Sequence, residues 1–166
     1  MLQRRSLFAL PVAALLGGCG FKLRGKQNYA FETIAVTPEK GAAVASELSR
    51  YLGDMVRPVA PPVGGVPPEV IVDILGETRE KVIVALNASG QVREYQLRIK
   101  VRFRMRTSQG RDLIEPTDIL QERDISFNES AVLAKEAEEA LLYRDMQSDI
   151  VQQLLRRIAA VKSLNP

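Results

Sequence analysis

From Tyr95 to Arg106 every odd position is apolar or aromatic and every even position is polar or charged. A helix turns once in about 3.6 residues, so on a helix this pattern would scatter the apolar side chains around the axis. A strand sends them all to one face. Tyr95, Leu97, Ile99, Val101, Phe103 and Met105 are therefore expected on a core. Gln96, Arg98, Lys100, Arg102, Arg104 and Arg106 are expected on an open face.

The flanking sequence supplies the rest of a layered domain. Residues 31–36 are β-branched and alternating, which predicts a short strand ending at Pro38. From Gly41 the period changes: Val44, Leu48, Tyr51, Leu52 and Met55 recur on one face of an amphipathic helix. Residues 57–68 then hold five prolines and two glycines in twelve positions. That is a loop, too short to separate two domains and unable to continue the helix. Strand signals resume over 69–75 and 81–86, Asn87-Ala88-Ser89-Gly90 supplies a turn, and Ser108-Gln109-Gly110-Arg111-Asp112 supplies a second one after the alternating strand. Residues 117–127 read as the return strand.

A long helix is predicted over 132–161, with Ser126-Phe127-Asn128-Glu129 as a capping box near its start. Glu136, Glu138 and Glu139 lie early and Arg156, Arg157 and Lys162 late, as the helix dipole favours. Leu142, Met146, Ile150, Leu154, Ile158 and Val161 make its buried stripe. The order β-α-β-β-β-α, with both helices able to cover one face of a four-stranded mixed sheet, argues for an α+β two-layer sandwich.

The N-terminus has a different character. Arg4 and Arg5 precede an apolar run of ten residues, Leu7 to Leu16, and Gly17-Gly18 lead to Cys19, the only cysteine. A basic head, a short apolar core and small residues before a processing point mark an export signal. The run is about half of the roughly 20 residues a membrane-spanning helix needs. Residues 1–18 are read as a signal peptide ending at Leu-Gly-Gly-Cys, similar to a bacterial lipoprotein signal. Cys19 then becomes the first mature residue and carries N-acyl and S-diacylglycerol lipid, and residues 19–166 form one domain. An ordinary secretory signal followed by an unpaired thiol is the alternative, and the arginine pair also suits a route that exports folded proteins. Acylation anchors durably because each buried methylene contributes about 0.8 kcal/mol.

Composition narrows the chemistry. Losing Arg4 and Arg5 from 23 basic residues leaves 21 against 20 acidic ones, so the mature chain has no charge excess of the kind nucleic acid demands. Histidine and tryptophan are absent, and acylation leaves no free cysteine. A Cys/His zinc site and a His-assisted triad are excluded, and no cofactor is expected beyond the covalent lipid on Cys19.

Several fragments share an order and spacing with a known family. Cys19-Gly20-Phe21-Lys22-Leu23-Arg24-Gly25 opens the mature chain. Gly90-Gln91 with Glu94-Tyr95-Gln96 follows, then Gly110-Arg111-Asp112-Leu113 with Pro116. Leu133-Ala134-Lys135 with Glu138, and Asp145-Met146 with Ile150 and Gln153-Leu154, complete the set. Together they resemble LptE, the lipopolysaccharide-assembly lipoproteins of the Gram-negative outer membrane. The resemblance implies two helices on a four-stranded sheet. It also implies a 1:1 complex in which the protein plugs the lumen of the barrel LptD and helps assemble it and deliver lipopolysaccharide to the cell surface. Gly20 fits outer-membrane delivery, since retention in the inner membrane is often marked by Asp there. In this family a basic residue before the Gly-Gln turn and the lysine of the Leu-Ala-Lys segment are linked to lipopolysaccharide contact. The lysine corresponds to Lys135; the other position is Ala88, so any site here differs in detail.

Arg98, Lys100, Arg102, Arg104 and Arg106 stand on one face of one strand, spread over about 27 Å at about 3.3–3.4 Å per residue. Two readings stay open. They contact lipopolysaccharide phosphates, which guanidinium forks chelate, or the barrel lumen; or Asp118, Glu122 and Asp124 on the return strand pair with them, each pair contributing about 0.2–1 kcal/mol. Glu136, Glu138 and Glu139 read as a solvated helix face. Two further function classes compete with the non-catalytic assembly factor: a periplasm-facing accessory lipoprotein scaffolding another envelope transport complex, and a small envelope hydrolase using paired carboxylates.

Overall fold

The computed structural model describes residues 28–38 and 40–164. Cys19 and the signal sequence lie outside the described residues. The elements are β1 (Ile34–Thr37), α1 (Ala43–Leu52), a 3-10 turn (Gly53–Met55), β2 (Val70–Leu86), β3 (Val92–Thr107), β4 (Asp112–Ser126), a second 3-10 turn (Glu129–Ala131) and α2 (Val132–Ala160). The four strands form one sheet in the order β1-β2-β3-β4. β1 runs parallel to β2, and the β2–β3 and β3–β4 pairs are antiparallel. Both helices pack on the same sheet face, so the α+β two-layer sandwich with the order β-α-β-β-β-α stands.

Strands β2, β3 and β4 are 17, 16 and 15 residues long, roughly 50–56 Å of extended chain. The alternation in β3 holds along its length: Leu97, Ile99, Val101, Phe103 and Met105 are fully buried, and the even positions face away. Opposite them lies the stripe of α2, where Met146, Ile150, Leu154 and Ile158 are buried and Leu142 and Val161 pack at its margins. α1 adds Val44, Ala45, Leu48 and Leu52. The two hairpins turn alike. Asn87 N–H donates to Gln91 O (2.8 Å) and Thr107 N–H to Arg111 O (2.8 Å), with Gly90 and Gly110 at φ of 80° and 93°, where a Cβ would be strained.

Five details differ from the sequence expectation. The two predicted strands merge into the single β2, Val70–Leu86, broken only by bulges: the register skips Leu75, which is left exposed. In β1 Ala35 is as buried as Ile34 and Val36, and its register partner Ile71 on β2 is buried with it. Tyr51 is 57% exposed; the arc of α1 against the core is centred on Val44, Leu48 and Leu52, and Tyr51 sits past its edge in the last turn. β4 begins before Pro116 rather than after it. It is an edge strand, and Pro116 falls where the register slips between Phe103–Thr117 and Met105–Ile114, so the missing N–H breaks no ladder bond. Finally, Ser126 ends β4 and caps nothing. The Asn128 side chain accepts from Ser130 N–H (3.0 Å) to cap the 3-10 turn instead.

The first turns of α2 are held mainly by polar contacts. Lys81 Nζ donates to Glu139 (2.6 Å) and Tyr143 Oη to the Glu80 carbonyl (2.8 Å). Buried residues of this helix start only at Met146. No helix among the described residues is long and apolar enough to cross a membrane.

Candidate functional site

The face of the sheet turned away from the helices carries Arg98, Lys100, Arg102, Arg104 and Arg106, as the alternation requires. The β3–β4 register sets Arg98 opposite Glu122 and Arg102 opposite Asp118. Arg98 Nε lies 3.0 Å from Glu122, Lys100 Nζ 3.0 Å from Asp118, and Arg102 Nε 4.0 Å from the other oxygen of Asp118. Asp124 accepts from Gln96 (3.0 Å) rather than from a stripe cation. Cross-strand pairing is thus real on this face, but Asp118 is shared, and Lys100 and Arg102 remain 57% and 62% exposed.

The remaining two cations have a partner that sequence reasoning missed. Asp73, on β2, is 7% exposed. It accepts from Arg104 Nε (2.8 Å), Arg106 Nε (2.7 Å) and Thr37 Oγ1 (2.7 Å). Burial pushes the Asp73 carboxyl up, and the hydrogen bonds from Arg106, Thr37 and Arg104 outweigh it, so its pKa lies below the usual value. The sequence held one signal: a lone acid inside the apolar run 70–75, where an ionised group needs partners. With Asp73, three carboxylates contact the five cations; on the same face Glu80 and Asp112 stand in register opposite Arg98 and Arg106, and Asp124 opposite Gln96.

Lys135 stands elsewhere, near the far end of β4. Its Nζ donates to Ser126 Oγ (3.0 Å) and Glu138 (2.8 Å). A cavity of about 60 Å3 there is lined by Lys81, Tyr95, Phe127, Val132, Lys135 and Glu139, among others. Tyr95 and Phe127 meet edge to face at 5.4 Å, and Lys81 Nζ stands 4.4 Å from the Tyr95 ring. Lys81, with its pKa raised by its hydrogen bond to Glu139, is a second cation at this corner that the sequence did not single out. Nearest in the stripe is Arg98, paired with Glu122, four residues or about 13 Å along β4 from Ser126. Stripe and Lys135 are therefore two separate basic features. Ala88 sits at the exposed tip of the β2–β3 hairpin.

Glu138 and Glu139 are taken up by Lys135 and Lys81, and Glu136 is exposed. Among the described residues no group of three or more acids is placed to hold a metal ion. The arrangement offers exposed ammonium and guanidinium donors to an anion.

The LptE family model, described as lipopolysaccharide-assembly, matches residues 31–158. Among solved structures, the chain is similar to an uncharacterized lipoprotein B from Nitrosomonas europaea, with 38% identity, a TM-score of 0.69, and coverage of 85% of this chain and 91% of that one. Two structures share the fold at lower identity. One is the rare lipoprotein B from Shewanella oneidensis, at 20% identity and a TM-score of 0.61 over 77% of this chain and 92% of that one. The other is a minor lipoprotein from Acinetobacter baumannii, at 22% and 0.61 over 80% and 94%.

Proposed function

Because this chain belongs to the LptE family of lipopolysaccharide-assembly proteins, we propose that it is a non-catalytic outer-membrane lipoprotein. It is acylated at Cys19, plugs the LptD barrel one to one, assists barrel assembly and helps deliver lipopolysaccharide to the cell surface. Its soluble domain faces the periplasm and the barrel lumen. The observation that carries this reading is the uncovered sheet face. The main apolar core lies on the helix side, while the other face presents five cations in contact with three carboxylates. Such a face suits a polar barrel wall or a phosphorylated lipid headgroup, since charged groups at an interface select partners by complementarity. Lys100 and Arg102 are the stripe residues most available to an external anion, and Lys135 with Lys81 offers a second, smaller contact.

A mild-detergent pull-down of the tagged, lipidated protein tests the assignment. A stoichiometric large outer-membrane barrel of the LptD kind is the expected result. Recovery of an inner-membrane transporter or another envelope scaffold without a barrel would replace it with the accessory-lipoprotein reading.

A further inference from the structure

On the helix side of the sheet, away from the basic stripe, three arginines from three elements border one groove. Arg50 of α1, Arg144 of α2 and Arg79 of β2 line an open space of about 440 Å3. Arg79 is paired in register with buried Ile99, which fixes it to this side. Its Nη2 donates to Gln147 Oε1 (2.7 Å) and Glu77 (3.1 Å). Gln147 in turn donates to Glu47 (2.6 Å), whose other oxygen accepts from Ser148 Oγ (2.7 Å). Glu47, 6% exposed, is thereby satisfied by neutral donors. Arg50 and Arg144 are exposed and have no hydrogen-bond or carboxylate partner among the described residues.

We propose that this groove is a binding site for a phosphate group, either free or as the headgroup of a phosphorylated glycolipid. Three guanidiniums oppose Glu47 on the floor and Glu77 beside Arg79, so one positive charge is in excess before any ligand arrives. The forked N–H pairs of guanidinium match the terminal oxygens of phosphate. A carboxylate, with two oxygens and one charge, satisfies fewer of these donors. The Arg79–Gln147–Glu47–Ser148 chain ties β2 to both helices and pre-sets the groove wall, which lowers the ordering cost of binding. The inference stands on this geometry and not on the assignment to a barrel complex.

The test compares wild type with Arg50→Gln/Arg144→Gln and with a charge-matched control, Arg93→Gln/Arg156→Gln, all checked for folding by circular dichroism. One probe is inorganic pyrophosphate, followed by 31P line broadening at low salt; the other is vesicles containing lipopolysaccharide. At least a fivefold weakening by the groove variant, and less than twofold by the control, is expected. Weakening toward pyrophosphate identifies a phosphate site, and weakening toward vesicles alone identifies the lipid headgroup as its source. A groove variant within twofold of wild type on both probes, a control that weakens binding equally, or a wild type that binds neither probe overturns the proposal.

Discussion

Asp73 on β2 and Arg106 on β3 meet through a 2.7 Å hydrogen bond from Nε to Oδ2, although 33 residues separate them in the chain. The same carboxylate accepts from Arg104 and from Thr37 of β1. One side chain therefore links three adjacent strands and holds two of the five stripe cations.

Replacing Asp73 with Asn should leave two guanidiniums underpaired and cost about 2 kcal/mol in urea unfolding, toward the lower end for a paired charge because both arginines reach solvent. The pH dependence has a fixed sign. The folded pKa lies below the unfolded value of about 3.9, so the contribution of ionised Asp73 is complete above that value. It is lost as pH falls through the folded pKa. The gap in stability between wild type and Asp73→Asn should accordingly be constant from pH 7 to 5 and shrink below about pH 4. A gap that widens on acidification would contradict the pairing.

Charge reversal separates the stripe into two parts. Lys100→Glu with Arg102→Glu alters residues that are more than half exposed, and the unfolding free energy should move by no more than about 1 kcal/mol. Lipopolysaccharide binding in a co-sedimentation assay should fall. Arg104→Glu sets a carboxylate against buried Asp73 and should destabilise the fold itself. Unchanged binding in the folded double variant would remove the stripe from the lipopolysaccharide contact.

Phe103 is the largest of the fully buried side chains, with the Arg157 guanidinium 5.7 Å from its ring. Phe103→Ala should cost about 3–5 kcal/mol in denaturant unfolding, from lost transfer energy and a cavity between sheet and helix layer. A loss below about 1 kcal/mol would mean that the layers close over the gap.

Two glycine substitutions should differ in sign. Gly90→Ala places a Cβ at φ of 80° and should destabilise by about 1 kcal/mol. Gly76, in β2, has no positive φ, and a Cβ added there would meet nothing within 4 Å; Gly76→Ala should be neutral or gain up to about 1 kcal/mol. Equal effects in thermal unfolding would count against the turn geometry.

The period of the chain determined which side of each element faces the core. Alternation in β3 and the buried stripe of α2 can be read locally, because side-chain direction follows from backbone geometry within a few residues. The element order, the two-layer class and the presence of Asp118, Glu122 and Asp124 on the face of the stripe followed from that. Tertiary structure decided what depends on register between distant segments. The bulge at Leu75 and the slip at Pro116 choose which residues stand opposite one another, and so give Arg104 to Asp73 rather than to an acid of β4. The parallel β1, the burial of Glu47 against Gln147 and Ser148, and the separation of Lys135 from the stripe have the same origin. Charges attract over any sequence distance, and only the folded backbone sets which of them come within hydrogen-bonding reach.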